Sequence, residues 1–459
     1  MSVKPKSSFL TGVVEGFYGR PWTFDQRLCL FERMAEWGLN TYQYGPKDDL
    51  KHRVDWRSCY NSSELAELQQ LVAACQGAGI RFVYSLGPGL DIEYGSKDTL
   101  RILRERFQQL EDIGIASFAL LFDDIPDAMT AEDRRRFQSF AAAQAFVSNE
   151  VWSEHRKKSE DGVFLFCPTP YCGRMDEERL GGEGYLETLG AELDPSIYVY
   201  WTGPQIISES ITADHAATLA ERLKRRPLIW DNYHANDYDL RRLYTGPIEG
   251  RASDPTSSFS GILLNPNCEF EANFIPFYSL SQYVEQGVDY QPQETFQSGL
   301  QLWKSAFTGV GAEWTDEELE LFASLFYAPF QLGPLARQMI QDVSALVHQT
   351  PNEWGDLWER FQRWRELIQS ISIKLTELHN RDLFYSFNRQ WWEIREEFDL
   401  LTRFLKEKQQ QGAEVSLSRS PEHLPGTYRG GAIRNLQGLL NMHPDGSFSA
   451  DTRNLHNLS

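Results

Sequence analysis

Over its first 285 residues the chain repeats one pattern eight times: a short apolar or β-branched run followed by a segment with helical spacing. The runs are LTGVVEGFYG (10–19), LNTYQYGPKDD (39–49), IRFVYSLGPG (80–89), FALLFDDIP (118–126), VFLFCPTPY (163–171), IYVYWTGP (197–204), LIWDNYHAND (228–237) and GILLNPNCEF (261–270). Segments such as FDQRLCLFERMAEWG and SSELAELQQLVAACQGAG lie between them, with apolar residues three and four apart and glycine at the end. Strands alternating with helices require a parallel sheet, and eight units in this length match a (β/α)8 TIM-type barrel. The alternative, a doubly wound sheet, lacks its Gly-rich phosphate fingerprint here. The C-terminal ends of the runs collect Asp, Lys, Asn, Tyr and Trp together with Gly and Pro, and in a barrel that end carries the active site. Turn chemistry alone is the other reading of any single tip.

After about residue 290 the period changes. Trp354, Leu357, Phe361, Trp364, Ile368, Ile371, Leu375 and Leu378 follow a 3-4 spacing, as do Phe384, Phe387, Trp391, Ile394, Phe398, Leu401 and Leu405. Two long helices joined at HNRD, an antiparallel hairpin in an all-α bundle, are expected. Thr315 and Glu318 form a capping-box pattern opening an earlier helix. The polar stretch 407–425 reads as a loop. The boundaries so drawn are 1–288 for the barrel, 289–445 for a helical dimerisation domain and 446–459 for a disordered tail.

With 459 residues, 41% of them hydrophobic, the chain can fill both cores. Its net charge of −20 argues against nucleic-acid and anionic-membrane partners. The six cysteines show no CxxC or zinc-like spacing, which points to reduced thiols. MSVKPKSSFL lacks a secretory apolar segment, and no run has the roughly 18 apolar residues of a membrane span. A soluble, cytoplasmic protein is expected.

The sharpest local signal is Asp123–Asp124 at the tip of the fourth run. On a flat strand, neighbours face opposite sides, so a shared site needs the backbone to turn out of the pleat, where Pro126 marks a break. Three chemistries use adjacent acids. They can ligate a divalent cation, or form a turn and cap the next helix. Or they can serve glycoside hydrolysis. Enzymes with their own nucleophile or general base hold two carboxyls about 5–5.5 or 6.5–9.5 Å apart, which suits consecutive residues poorly. Adjacency suits a 2-acetamido sugar whose own carbonyl oxygen attacks the anomeric carbon. One carboxylate then holds the acetamido N–H, and the next is acid to the leaving oxygen and base to water.

VVEGFYGRPW, YGPKDDLKHR, SLGPGLDI, FALLFDDI, FLFCPTPYCG, WTGP, IWDNYHANDYD and LLNPNCEFEAN together resemble, in order, the O-GlcNAcases of glycoside hydrolase family 84. LFYAPFQLGPLARQM and YRGGAIRNLQGLL resemble the helical stalk of the animal enzymes, without their long insertion between barrel and stalk. The resemblance implies substrate-assisted hydrolysis by a retaining β-N-acetylglucosaminidase, with no metal or cofactor. It implies that Asp123 polarises the acetamido group, Asp124 is the acid/base, Tyr171 steadies the reacting oxygens and Asn232 orients the acetamido group. Cys167 and Trp230 would shape the methyl pocket, Gly16, Lys47, Asp237 and Asn267 would bind hydroxyls, and Tyr18 would wall the ring. A Lys47–Asp237 salt bridge with no catalytic part is the alternative for that pair. The stalk implies a homodimer, and Trp392, beside seam residue Trp391, would reach the partner's cleft where a peptide lies. The substrates implied are O-GlcNAc-modified proteins or peptides. Free or glycan-linked amino sugars, and non-catalytic O-GlcNAc binding, stay open as alternatives.

Overall fold

The computed structural model describes residues 9–126, 129–159, 161–412, 428 and 430–451. The chain divides into two compact units: the first takes residues 1–238, 248–268 and 277–292, the second 239–247, 269–276 and 293–459. The sequence places a single cut after residue 288. Here the cut falls after Pro292, and two short barrel-loop segments group with the second unit.

In the first unit each predicted run contains a strand: β1 Leu10–Glu15, β2 Thr41–Tyr44, β3 Arg81–Leu86, β4 Ser117–Leu121, β5 Phe164–Cys167, β6 Tyr198–Trp201, β7 Leu228–Asp231 and β8 Gly261–Leu264. They pair in parallel, in chain order, and β1 closes the barrel on β8. The two helices singled out above form as Phe24–Glu36 and Ser62–Gly77, each opened by a capping box, Thr23 with Gln26 and Asn61 with Glu64. Alternate residues fill the barrel interior, among them Val14, Val83, Ala119, Leu121, Leu165, Tyr200, Leu228 and Leu263. Closure brings backbones close at β1. A Cβ on Gly12 would stand 1.8 Å from the Thr41 carbonyl oxygen, so only glycine fits there.

The second unit is helical. Its helices include Asp316–Leu325, opened by the expected capping box, Pro334–His348, Leu357–Thr376 and Arg381–Gln411. The last two run antiparallel: Phe361 stacks on Phe398 at 5.5 Å, and the Trp391 indole donates to Ser372 Oγ at 2.9 Å. The helix continues to Gln411 where a loop was expected from 407; its core-facing Lys408 donates to the Val347 carbonyl at 2.5 Å. Residues 413–425 lie outside the described residues. The tail expected to be disordered from 446 begins instead with a strand, Phe448–Ala450, paired antiparallel with Leu440–Met442. Asp445–Gly446 makes the turn, with Gly446 at φ 80°. The rest of that tail, 452–459, lies outside the described residues. Among those described, no helix is long and apolar enough to cross a membrane.

Candidate active site

At the C-terminal end of the barrel strands lies a cavity of about 410 Å³, lined wholly by residues of the first unit. Gly16, Tyr18, Lys47, Asp123, Asp124, Cys167, Tyr171, Trp230, Asn232 and Asp237, all picked out from the sequence, line it.

The two aspartates reach it differently. Asp123 continues the inward alternation of Ala119 and Leu121 beyond the end of β4. Asp124 would fall on the outer face, but its backbone is left-handed, with φ 47°. Asp is among the few residues that accept that conformation, and the reversal brings its carboxylate to the same cavity. Asp124 Oδ1 accepts a hydrogen bond of 2.9 Å from the Tyr171 hydroxyl. Burial, and then the Asp124 charge, push the Tyr171 phenol far above its ordinary value, so it remains a donor. Asp123 lines the cavity, and its Oδ1 is buried with no hydrogen-bond partner.

Asn232 is held rigidly. Its Oδ1 accepts from the Trp230 indole at 3.0 Å and from Asn265 Nδ2 at 2.9 Å, while its Nδ2 donates to the Ile206 carbonyl at 2.8 Å. An amide has two hydrogens, so one remains for a ligand. Trp230 packs edge-on against Tyr200, and a Cβ on Gly16 would stand 3.0 Å from its ring, so glycine there keeps the indole in place. Cys167, at the end of β5, is buried, and burial foremost raises its thiol well above the usual range. It is a neutral wall, not a nucleophile. The Tyr18 N–H donates to Asp237 Oδ2 at 2.9 Å, and Lys47 Nζ lies 5.1 Å from the Tyr18 ring centroid.

One residue named from the sequence for this cavity does not line it. Asn267 is fully buried and does not line the cavity; Asn265, two positions earlier, does, with its Oδ1 buried and without a hydrogen-bond partner. Trp392 belongs to the second unit and is half exposed on its helix, with the Arg395 guanidinium 4.0 Å over the ring. Thr202, Ile206, Ile207, Ala235 and Tyr238 complete the lining without having been singled out. Behind the wall, Arg53 contacts both aspartates and His52 donates from Nδ1 to the Ser85 carbonyl at 2.8 Å. Burial and the Lys47 charge push His52 down to about 3, so its imidazole is neutral at any working pH. Among the described residues no group of three or more His, Cys, Asp and Glu is placed to hold a metal ion.

Comparison with known proteins finds relatives of one kind. Over 281 residues, 61% of this chain, the sequence is 44% identical to the protein O-GlcNAcases of Mus musculus and of Rattus norvegicus. The chain spans 30% of the length of those curated relatives. A solved structure of a mutant O-GlcNAc hydrolase from Thermobaculum terrenum superposes with a TM-score of 0.75 at 27% identity, covering 88% of this chain and 84% of that one. The family model described as beta-N-acetylglucosaminidase matches residues 11–324. Barrel, paired acids and sequence lead to one conclusion: the chain belongs to the beta-N-acetylglucosaminidase family of glycoside hydrolases.

Proposed function

We propose that this protein removes O-linked N-acetylglucosamine from serine and threonine of proteins, with retention of configuration, through attack by the sugar's own acetamido oxygen. The observation that carries this is the pairing at one rim: an unpartnered, buried Asp123 Oδ1 beside an Asp124 that already accepts from Tyr171. Asp123 takes the acetamido N–H and balances the charge that grows on the ring as the carbonyl oxygen bonds to C1. Asp124 gives its proton to the departing glycosidic oxygen, then takes one from the water that reopens the oxazoline at C1. Two inversions at C1 leave the configuration unchanged.

Around that centre, Tyr171 steadies the reacting oxygens, and the remaining Asn232 amide hydrogen fixes the acetamido group. Cys167 and Trp230 close on its methyl. Gly16, Lys47 and Asp237 meet the sugar hydroxyls, with Asn265 in the place first assigned to Asn267, and Tyr18 covers the ring. Asp237 accepts from the Tyr18 N–H through Oδ2, which leaves its other oxygen, and Lys47 beside the Tyr18 ring, to meet hydroxyls. The test is hydrolysis of a defined O-GlcNAc peptide beside an aryl β-N-acetylglucosaminide and chitobiose. Turnover of the aryl glycoside alone would remove the peptide reading, and no turnover of any of the three would remove the enzyme.

Tyr171→Phe keeps the ring and deletes the donor to Asp124. Its kcat/KM is expected to fall about 10- to 100-fold, matching the ~1.5–3 kcal/mol of a hydrogen bond to a charged group. Steady-state kinetics on the aryl glycoside measure this.

The helical unit supports a homodimer in this proposal. Its two long helices carry half-exposed or exposed Ile373, Tyr385 and Trp392. Sedimentation should give twice the chain mass, and Trp392→Ala should lower turnover of glycopeptide while sparing the aryl glycoside. A reducing, cytoplasmic setting is proposed on the six cysteines, none of which forms a disulfide.

A further inference from the structure

Arg53 takes no part in the chemistry described so far, yet it is the side chain most closely engaged with the main chain of the two acids. It follows the short turn Leu50–His52 after β2, and Asp49 caps that turn by accepting from the Lys51 N–H. From there it crosses the end of β3: its Cγ and Nη1 lie 3.6 and 3.8 Å from where a Cβ on Gly87 would stand. The His52 carbonyl accepts from the Gly87 N–H at 2.8 Å, which ties the base of the side chain to β3. The guanidinium arrives at the end of β4 almost wholly buried.

There one nitrogen, Nη2, donates to the Asp124 carbonyl at 2.8 Å and to the Asp123 carbonyl at 3.2 Å. In an extended chain, successive carbonyls point to opposite sides and cannot converge on one donor. They converge here because the backbone of Asp124 is left-handed. The second nitrogen, Nη1, has no hydrogen-bond partner and stands 3.7 Å from Asp123 Oδ2. The cation therefore stands beside the Oδ2 side of the Asp123 carboxylate and leaves Oδ1, buried and without a hydrogen-bond partner, untouched.

We infer that Arg53 is the positioning residue of this active site: by clasping both carbonyls it holds the left-handed turn that delivers Asp124 to the leaving group, while its charge stands beside Asp123. This rests on the glycosidase reading above and assigns the turn a keeper. Lysine at this position retains the charge but lacks the planar fork that can serve two carbonyls and a carboxylate together.

The experiment compares kcat and KM of the wild type, Arg53→Lys and Arg53→Met on a nitrophenyl β-N-acetylglucosaminide and on a Ser-linked GlcNAc peptide. The nitrophenyl group leaves with little help from an acid, whereas the serine oxygen depends on Asp124. Arg53→Lys is expected to lose about 30-fold or more in kcat on the peptide and about 5-fold or less on the aryl glycoside, with KM little changed, since a small misplacement of an acid costs rate and not affinity. Arg53→Met is expected to fall on both, having also lost the charge beside Asp123. The ratio of the two losses in one preparation does not depend on how much of it is folded, so a partly folded variant still gives a decision. A ratio near one for Arg53→Lys, whether both rates fall together or neither falls, overturns the assignment while the wild-type activity stands. A wild type inactive on both substrates overturns the hydrolase reading and this assignment with it.

Discussion

Replacing Asp123 by alanine is expected to lower kcat/KM about 100- to 1,000-fold on aryl and peptide glycosides alike, because formation of the oxazoline itself loses its anionic support. The Asp124→Ala variant should behave differently. It is expected to lose about 100- to 10,000-fold on the peptide, where general acid assistance is needed, and far less on an aryl glycoside with a good leaving group. kcat/KM reports the first bond-breaking step, so the contrast is cleanest there. The same account requires that fluorines on the acetamido methyl, which drain its oxygen of electron density, slow the wild type steeply. A rate insensitive to fluorination, or a glycosyl ester trapped on any side chain, would place the nucleophile on the protein instead. Loss of Asp123 and Asp124 with equal profiles on all leaving groups would remove the division of labour.

The second large effect lies three strands away, on β7. Asp231 ends β7, between Trp230 and Asn232, and its carboxylate is wholly buried against Arg251. Nη2 and Nε of Arg251 donate to Oδ1 and Oδ2 at 2.6 and 2.8 Å, and the Tyr233 N–H donates to Oδ1 at 2.9 Å. Arg251 also donates to the carbonyls of Glu249 and Glu209, at 2.8 and 3.1 Å. Burial alone would raise the Asp231 carboxyl; the guanidinium overrides it and holds the group below its ordinary 3.8. This contribution is present above pH ~4 and is lost as pH falls through the depressed value. Arg251→Met leaves the carboxylate unpaired in the interior and is expected to cost about 3–5 kcal/mol. Denaturant titration at pH 7 should show it as a lower midpoint for the barrel. The deficit should shrink on acidification, because protonating Asp231 removes the stranded charge, and Asp231→Asn combined with Arg251→Met should recover part of it. An Arg251→Met midpoint equal to wild type at pH 7 would mean that the pair contributes nothing net.

What could be read in advance followed local chemistry. The eight strands announced themselves because each is an apolar run ended by turn residues, and the period change near 290 marked the helices because a 3-4 spacing cannot sit on a sheet. The paired acids were legible as a site, since nothing in the packing of a buried strand calls for two carboxylates. Asn265 and Asn267 were not separable: two positions apart, they would share a face on any strand, and only the backbone after β8 decides between them. Arg53 was out of reach for another reason, since its partners are 70 and 71 residues away and no local pattern encodes that crossing. The closing strand pair was legible and overlooked. Pro444-Asp445-Gly446 between Met442 and Phe448 is a turn signal with a known physical basis.

The left-handed backbone of Asp124 carries one more consequence. At most catalytic positions, the replacements that damage chemistry and those that damage folding form independent rankings. At 124 the main chain itself favours glycine, asparagine and aspartate over every branched or long side chain. Glutamate, which preserves the acid, therefore carries a conformational penalty that asparagine, which abolishes it, escapes. Under the proposed function, drift at this position is thereby channelled: the replacements that the backbone accepts are ones that would hold the sugar without cutting it.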